Sequence, residues 1–176
     1  MGNTADAGQE GKIKISLKTY QTHGIIGKKK KRRNSLMMIS TKGRYALRIL
    51  VDIAEHQGDG YVPLKESADR QEISEKYLES IVSTLVKYDF IEGLRGKGGG
   101  YKLGRPAEQI VIYDVLDAME GTLVPVACLE KRAKPCARTT ICQTLPLWNG
   151  LNEVVKDYLS RYTVKDLMNQ EKDYME

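Results

Sequence analysis

The chain has 176 residues and a formal net charge of +5, long enough for one domain with a real core and an added oligomerisation helix. No apolar run approaches the ~20 residues of a membrane span, and residues 1–35 lack the apolar stretch of a secretory signal. A cytoplasmic protein is expected.

The charge is unevenly placed. Residues 1–36 hold nine Lys and Arg against two Asp and Glu, and the rest of the chain holds nineteen against twenty-one. Any nucleic-acid contact by the folded part must therefore come from a local patch. Residues 1–36, with the run KKKKRR at 28–33, show no convincing period and read as a disordered basic extension. It serves as a nucleic-acid arm or localisation signal, or it lies upstream of a working start at Met37.

Residues 41–54 read as a helix whose buried face is Ala46, Ile49, Leu50, Ile53 and Ala54. His56 follows, placed where the helix dipole favours it. Pro63 opens a shorter helix over 64–70, and Gln71-Glu72 makes a tight turn. The next stretch, ISEKYLESIVSTLVK over 73–87, is amphipathic. Leu78, Ile81, Val82, Leu85 and Val86 form its apolar stripe, and Tyr77, Ser80, Thr84 and Lys87 its polar face. Ser74 stands at the N-cap position. Helix, short turn, helix is a helix-turn-helix arrangement, with the third helix as recognition element.

Two short strands follow, over 90–94 and 101–103, around the tip Arg95-Gly96-Lys97-Gly98-Gly99-Gly100. The glycines suit a tight hairpin and close backbone approach to DNA. They do not fit a phosphate-binding loop, because no Lys-Ser or Lys-Thr follows them at the start of a helix.

Beyond Pro106, a helix over 113–120 closes at Gly121, and residues 122–144 read as irregular. From Leu145 a long helix carries Trp148, Leu151, Val155, Tyr158 and Tyr162 at spacings of 3, 4, 3 and 4, a heptad-like seam suited to a second copy. Thr163 and Asp166 fit the capping box of a last short helix over 164–169, and the remaining residues read as a frayed end. The predicted organisation is a basic extension (1–36), a winged helix-turn-helix domain (37–105), a short helix with a cysteine-bearing sensor loop (106–144) and a dimerisation helix with C-terminal segment (145–176). The fold class is mainly α with a small β-hairpin wing.

Residues 37–170 resemble the bacterial iron–sulfur-cluster regulator family of winged-helix transcription factors, which includes IscR-like, NsrR-like and CymR-like repressors. The resemblance lies in Ser40-Thr41-Lys42-Gly43-Arg44-Tyr45-Ala46-Leu47, in Ile73-Ser74-Glu75-Lys76-Tyr77-Leu78-Glu79, in the wing LRGKGGGYKLG over 94–104, in the cysteine segment and in Trp148. It implies a homodimeric transcriptional repressor, without enzymatic activity, on a near-palindromic double-stranded operator, associated with the nucleoid. By position, Ser74, Lys76, Tyr77, Glu79 and Ser80 face bases and backbone. Arg95 enters the minor groove, with Gly96 and Lys97 on phosphates. Lys42, Arg44 and Arg48 are further phosphate contacts. A carboxylate at Glu79 accepts from cytosine and repels phosphate, so it sets preference by exclusion.

All three cysteines, Cys128, Cys136 and Cys142, fall in one short segment. An odd number argues against a disulfide framework, and thiolates are soft ligands for iron–sulfur clusters, zinc or copper. Lys131, Arg132, Lys134 and Arg138 favour thiolate there. The resemblance implies that the three cysteines hold an iron–sulfur cluster, [2Fe–2S] ahead of [4Fe–4S]. The chain departs from the IscR-like pattern at Leu145, where a His completes the site, and from the NsrR-like pattern at Arg44, where an acidic residue does so. That leaves the fourth ligand to Glu130, a partner subunit, a small thiol or water. The alternatives are a thiol-sensing regulator without a cluster, a CymR-like regulator controlled by a metabolic-enzyme partner, and a protein-interaction module without a cluster. No catalytic constellation is visible, since both histidines lie far from the cysteines in sequence.

Overall fold

The computed structural model describes residues 39–130 and 133–169. The basic extension, the start at Met37, Lys131, Arg132 and the polar end 170–176 lie outside the described residues. Helix α1 spans Thr41–His56 and begins because Ser40, in extended backbone, accepts the Gly43 N–H on its Oγ. Its buried face is Ala46, Ile49, Leu50 and Ile53, with Ala54 half-buried. His56 ends it, with ring Nδ1 2.7 Å from the Asp52 carbonyl oxygen.

Helix α2 spans Leu64–Gln71. It stops at Glu72, whose φ of 54° is left-handed, and the Ile73 N–H then donates to Ala68 O at 3.0 Å. Helix α3, Glu75–Lys87, follows at once. Ser74 occupies its N-cap position in extended backbone, but its side chain makes no capping bond. Leu78, Ile81, Val82 and Leu85 are buried as the period predicts, whereas Val86 is 39 % exposed. The chain leaves the helix through Asp89 at φ 56°, and Phe90 N–H donates to Leu85 O at 3.0 Å. That turn carries Phe90 into the core at 3 % exposure.

Strands β1 (Ile91–Leu94) and β2 (Gly100–Leu103) pair antiparallel, Ile91 opposite Leu103 and Leu94 opposite Gly100. Val62 bridges the outer side of β2 through mutual 2.8 Å bonds with Tyr101. Gly100 is required there, because a Cβ would collide with the Val62 backbone. The tip turns through Gly96 and Gly98 at φ 97° and 75°, which L side chains rarely adopt.

Helix α4, Ile112–Glu120, ends at left-handed Gly121. Helix α5 spans Leu145–Ser160, and α6 spans Val164–Met168 behind the predicted Thr163–Asp166 capping box. The start of α6 returns to the start of α4, with Ile112 N–H donating to Tyr162 O and Val164 N–H to Ile110 O, both at 2.9 Å. One core runs through these pieces: Leu50, Leu78 and Leu85 share it with Ile110, Val115 and Val164. The predicted division at residue 105 thus falls between segments that bury the same surface.

Within the single chain the residues of the expected α5 seam are unevenly covered. Leu159 and Tyr162 pack against the core, and Trp148, Leu151 and Val155 are half-buried. Leu147, Val154 and Tyr158 stand open, the first two at 64 % exposure.

Candidate nucleic-acid interface

Ser74, Lys76, Tyr77, Glu79 and Ser80 all lie on the exposed side of α3. Tyr77 does not stand alone. Its ring meets the Tyr45 ring at 6.0 Å, nearly edge to face, and the Arg48 guanidinium lies over Tyr45 at 5.3 Å. Arg48 also donates to Gln71 O at 2.6 Å and to Gln71 Oε1 at 2.9 Å. Behind this row lies Asp52, 2 % exposed. Its carboxylate accepts from Ser67 Oγ at 2.6 Å, Arg70 Nε and Nη2 at 2.9 Å, and Gln71 Nε2 at 3.1 Å. Burial alone raises the Asp52 pKa. The bonds from Arg70, Ser67 and Gln71, with the Arg70 charge, outweigh that and hold it below the usual carboxylate range. The helix-turn-helix is thus braced from α1.

Sequence reasoning missed this brace. Its one signal was an acidic residue, Asp52, between Val51 and Ile53 in the apolar part of α1. A carboxylate in such a place needs partners.

The other predicted contacts are distributed. Lys42 Nζ donates to Thr84 Oγ1 at 3.0 Å, so this cation lies against α3. Arg44 is exposed, its Nη2 on Thr41 Oγ1 at 3.2 Å. Ser80 Oγ donates to Tyr77 O at 2.7 Å. Arg95, Gly96 and Lys97 are exposed at the wing tip, and neither cation there has an ion pair among the described residues. The wing is stiffened at its base, where Lys102 Nζ meets Glu92 Oε1 at 2.9 Å and Tyr61 OH donates to the same oxygen at 3.1 Å. The Lys102 bond, then the Tyr61 bond, hold the Glu92 carboxyl below its usual range. These elements present a polar helix face beside an unneutralised basic tip.

The cysteine segment is built differently. Cys128 lies exposed in a 3-10 turn, Ala127–Leu129. Cys136 is exposed, and its carbonyl accepts from Thr139 N–H at 3.0 Å. Cys142 is half-buried after a second turn, Thr139–Ile141, with Sγ 3.4 Å from Thr144 Oγ1. The Thr144 hydroxyl and N–H, then the Leu145 N–H and the Arg138 charge, hold its thiol below the ordinary value. The donor chemistry suits a cluster, but the arrangement does not. Among the described residues no three His, Cys, Asp or Glu side chains gather as a metal-holding group. Glu130 is half-buried in the same segment.

Two hydrogen bonds tie the end of α4 to the front of α1. Glu120, the last residue of α4, accepts from Ser40 N at 3.0 Å and Ser40 Oγ at 2.9 Å at the front of α1. Gly43 makes room for it, since a Cβ there would collide with Glu120 Oε1 and crowd Leu116.

Residues 39–170 match the Rrf2 family model, described as an iron-dependent transcriptional regulator. The chain belongs to the Rrf2 family. Over 135 residues, 77 % of this Rrf2 chain and 81 % of the relative, it is 37 % identical to the HTH-type transcriptional regulator IscR of Sodalis glossinidius. It is 36 % identical to the IscR of Erwinia tasmaniensis over the same shares. Among solved structures it is similar to CymR, the global cysteine regulator of B. subtilis. The TM-score is 0.62 and the identity 35 %, covering 76 % of this chain and 98 % of that one. It is also similar to T. potens IscR, with TM-score 0.61 and 29 % identity over 79 % and 91 % of the two chains. The fold is the winged helix of these Rrf2 regulators, and the protein is a DNA-binding transcriptional regulator of the IscR/CymR type, not an enzyme. No helix among the described residues is long and apolar enough to cross a membrane.

Proposed function

We propose that the protein is a cytoplasmic repressor that binds a near-palindromic operator as a homodimer. The observation that carries this reading is the braced Tyr77 on an exposed α3 face beside the unpaired Arg95 and Lys97. Ser74, Lys76, Tyr77, Glu79 and Ser80 read the major groove, Arg95 the minor groove, and Gly96, Lys97, Lys42 and Arg44 the backbone. The open side chains Leu147, Val154 and Tyr158 on one face of α5 support pairing with a second copy, since exposed apolar side chains on a common helix face suit an interface. Binding to the protein's own upstream region, measured over a range of salt, tests the reading. Tyr77→Ala and Arg95→Ala are each expected to weaken it by about 1–3 kcal/mol. Lys97→Ala is expected to lower the slope of log K against log salt by about 0.9. Wild-type binding at low salt that neither Tyr77→Ala nor Arg95→Ala weakens overturns it.

Operator affinity is set by the state of Cys128, Cys136 and Cys142. The IscR relatives and the soft donor set support an iron–sulfur cluster there, [2Fe–2S] ahead of [4Fe–4S]. Because the thiols do not gather in the single chain, the segment must rearrange to hold one. The exposure of Cys128 and Cys136 favours a second reading, thiol oxidation without a cluster. Anaerobic purification with absorbance, iron and sulfide analysis separates the two. Bound iron and sulfide lost in the Cys→Ser variants support the cluster. An iron-free protein whose operator binding responds to mild oxidant supports the thiols alone. Cys→Ser variants that repress normally remove both.

A further inference from the structure

A cleft of about 480 Å³ opens at the root of the wing, between the end of α1, strand β2, the connector after it and α6. That volume is within the roughly 300–1,000 Å³ of small-molecule sites. Three cations line it, Lys102, Arg105 and Lys165, against two carboxylates, Glu92 and Glu108. Lys102 and Glu92 already neutralise one another at 2.9 Å. Neither Arg105 nor Lys165 has an ion pair among the described residues.

Arg105 is held for a purpose its own contacts do not explain. Its guanidinium lies over the ring of Phe90, 4.9 Å from the centroid, and Phe90 is a core residue. The stack fixes the plane of the fork. Yet Arg105 Nε is buried without a hydrogen-bond partner, the one such side-chain atom among the described residues. Buried donors are almost always satisfied, but this one is closed to the cleft, so an occupant would meet the two Nη groups of the fork. A fixed, unpaired guanidinium beside a second free cation is the chemistry that takes a carboxylate or phosphate group. Leu103 and Met168 add apolar wall.

We propose that this cleft binds a small organic anion, its carboxylate or phosphate on Arg105 and Lys165 and a short apolar body against Leu103 and Met168. The occupant spans two parts of the molecule. Lys102 and Leu103 belong to β2, whose hairpin carries the Arg95 tip, and Leu103 N–H is tied to Gln57 Oε1 of α1's end at 2.8 Å. Lys165 and Met168 belong to α6. A bound anion therefore clamps the wing root to the C-terminal segment.

The test is an amide-shift titration of the full chain with valerate and with propyl phosphate at constant ionic strength. Saturable shifts centred on Leu103, Gly104, Ala107 and Lys165 are expected from at least one probe, and the stronger binder names the head group. Arg105→Gln and Lys165→Glu are each expected to weaken binding by about tenfold or more. Lys165 is exposed, so its variant keeps the wild-type melting temperature and holds the test even where loss of the Phe90 stack disturbs Arg105→Gln. No saturable shift from either probe up to roughly 10 mM, or binding that Lys165→Glu leaves unchanged, overturns the proposal. The measurement involves no DNA and stands apart from the operator reading.

Discussion

The bonds that brace the helix-turn-helix and those that shape the cysteine segment differ in reach. Lys42 to Thr84 spans 42 residues, Arg48 to Gln71 spans 23, and Asp52 to Ser67 spans 15. Around the thiols, Thr139 to Cys136 spans three residues and Cys142 to Thr144 spans two. The first set exists only once α1, α2 and α3 have packed, so it holds the exposed face of α3 through tertiary contacts. The second set forms from local chain alone and fixes no distance between the cysteines.

The largest expected contrast comes from Asp52→Ala. It leaves the buried Ser67 hydroxyl and Gln71 without their acceptor and frees Arg70, whose side chain is 31 % exposed and can turn to water. Breaking a buried pair costs about 3–5 kcal/mol, which that exposure reduces to about 2–4 kcal/mol, readable in urea or thermal melts. The same network carries a pH signature. The folded Asp52 pKa is depressed, so its stabilisation is complete above the unfolded carboxylate value of about 3.9 and is lost as pH falls through the lower folded value. Wild type should therefore weaken more than Asp52→Ala on acidification below about pH 4.

Gly43→Ala is expected to cost less, about 1–3 kcal/mol, because the added methyl forces Glu120 off Ser40 and presses on Leu116. Near-wild-type stability in this variant would mean that Glu120 is only a surface carboxylate. The smallest effect belongs to Cys136→Ser, within about 0.5 kcal/mol of wild type in the metal-free, reduced protein, since the side chain is exposed. A loss comparable to that of Asp52→Ala would erase the contrast between the two regions.

What could be read in advance follows the same division. The α3 stripe, the Gly121 stop, the hairpin and the Thr163–Asp166 box were legible because each is a local pattern with a local cause. Val86 misled because helical period takes no account of where the helix ends, and Phe90 reaches the same core from the next turn. The packing of Tyr162 against the core was not legible, because the sequence does not announce that α6 folds back onto α4. The Asp52 brace was invisible as a network, its members lying on two helices. Clustering in sequence predicted that the three cysteines share a site, but loop segments with only local bonds need not bring neighbours in sequence together in space. The roles of Ser74, Lys76, Tyr77, Glu79, Arg95 and Lys97 came from motif resemblance. The structure adds where those side chains stand and what holds them.

Glu120 ties together two helix ends that lie 80 residues apart. It is the last residue of α4 before left-handed Gly121, and it is also the acceptor for the Ser40 N–H and hydroxyl at the front of α1. Ser40 Oγ in turn accepts the Gly43 N–H and so starts α1. The N-cap of the first helix is thus anchored by the C-terminal residue of the fourth, and losing the Glu120 carboxylate would loosen the first turn of α1 without touching α1 itself.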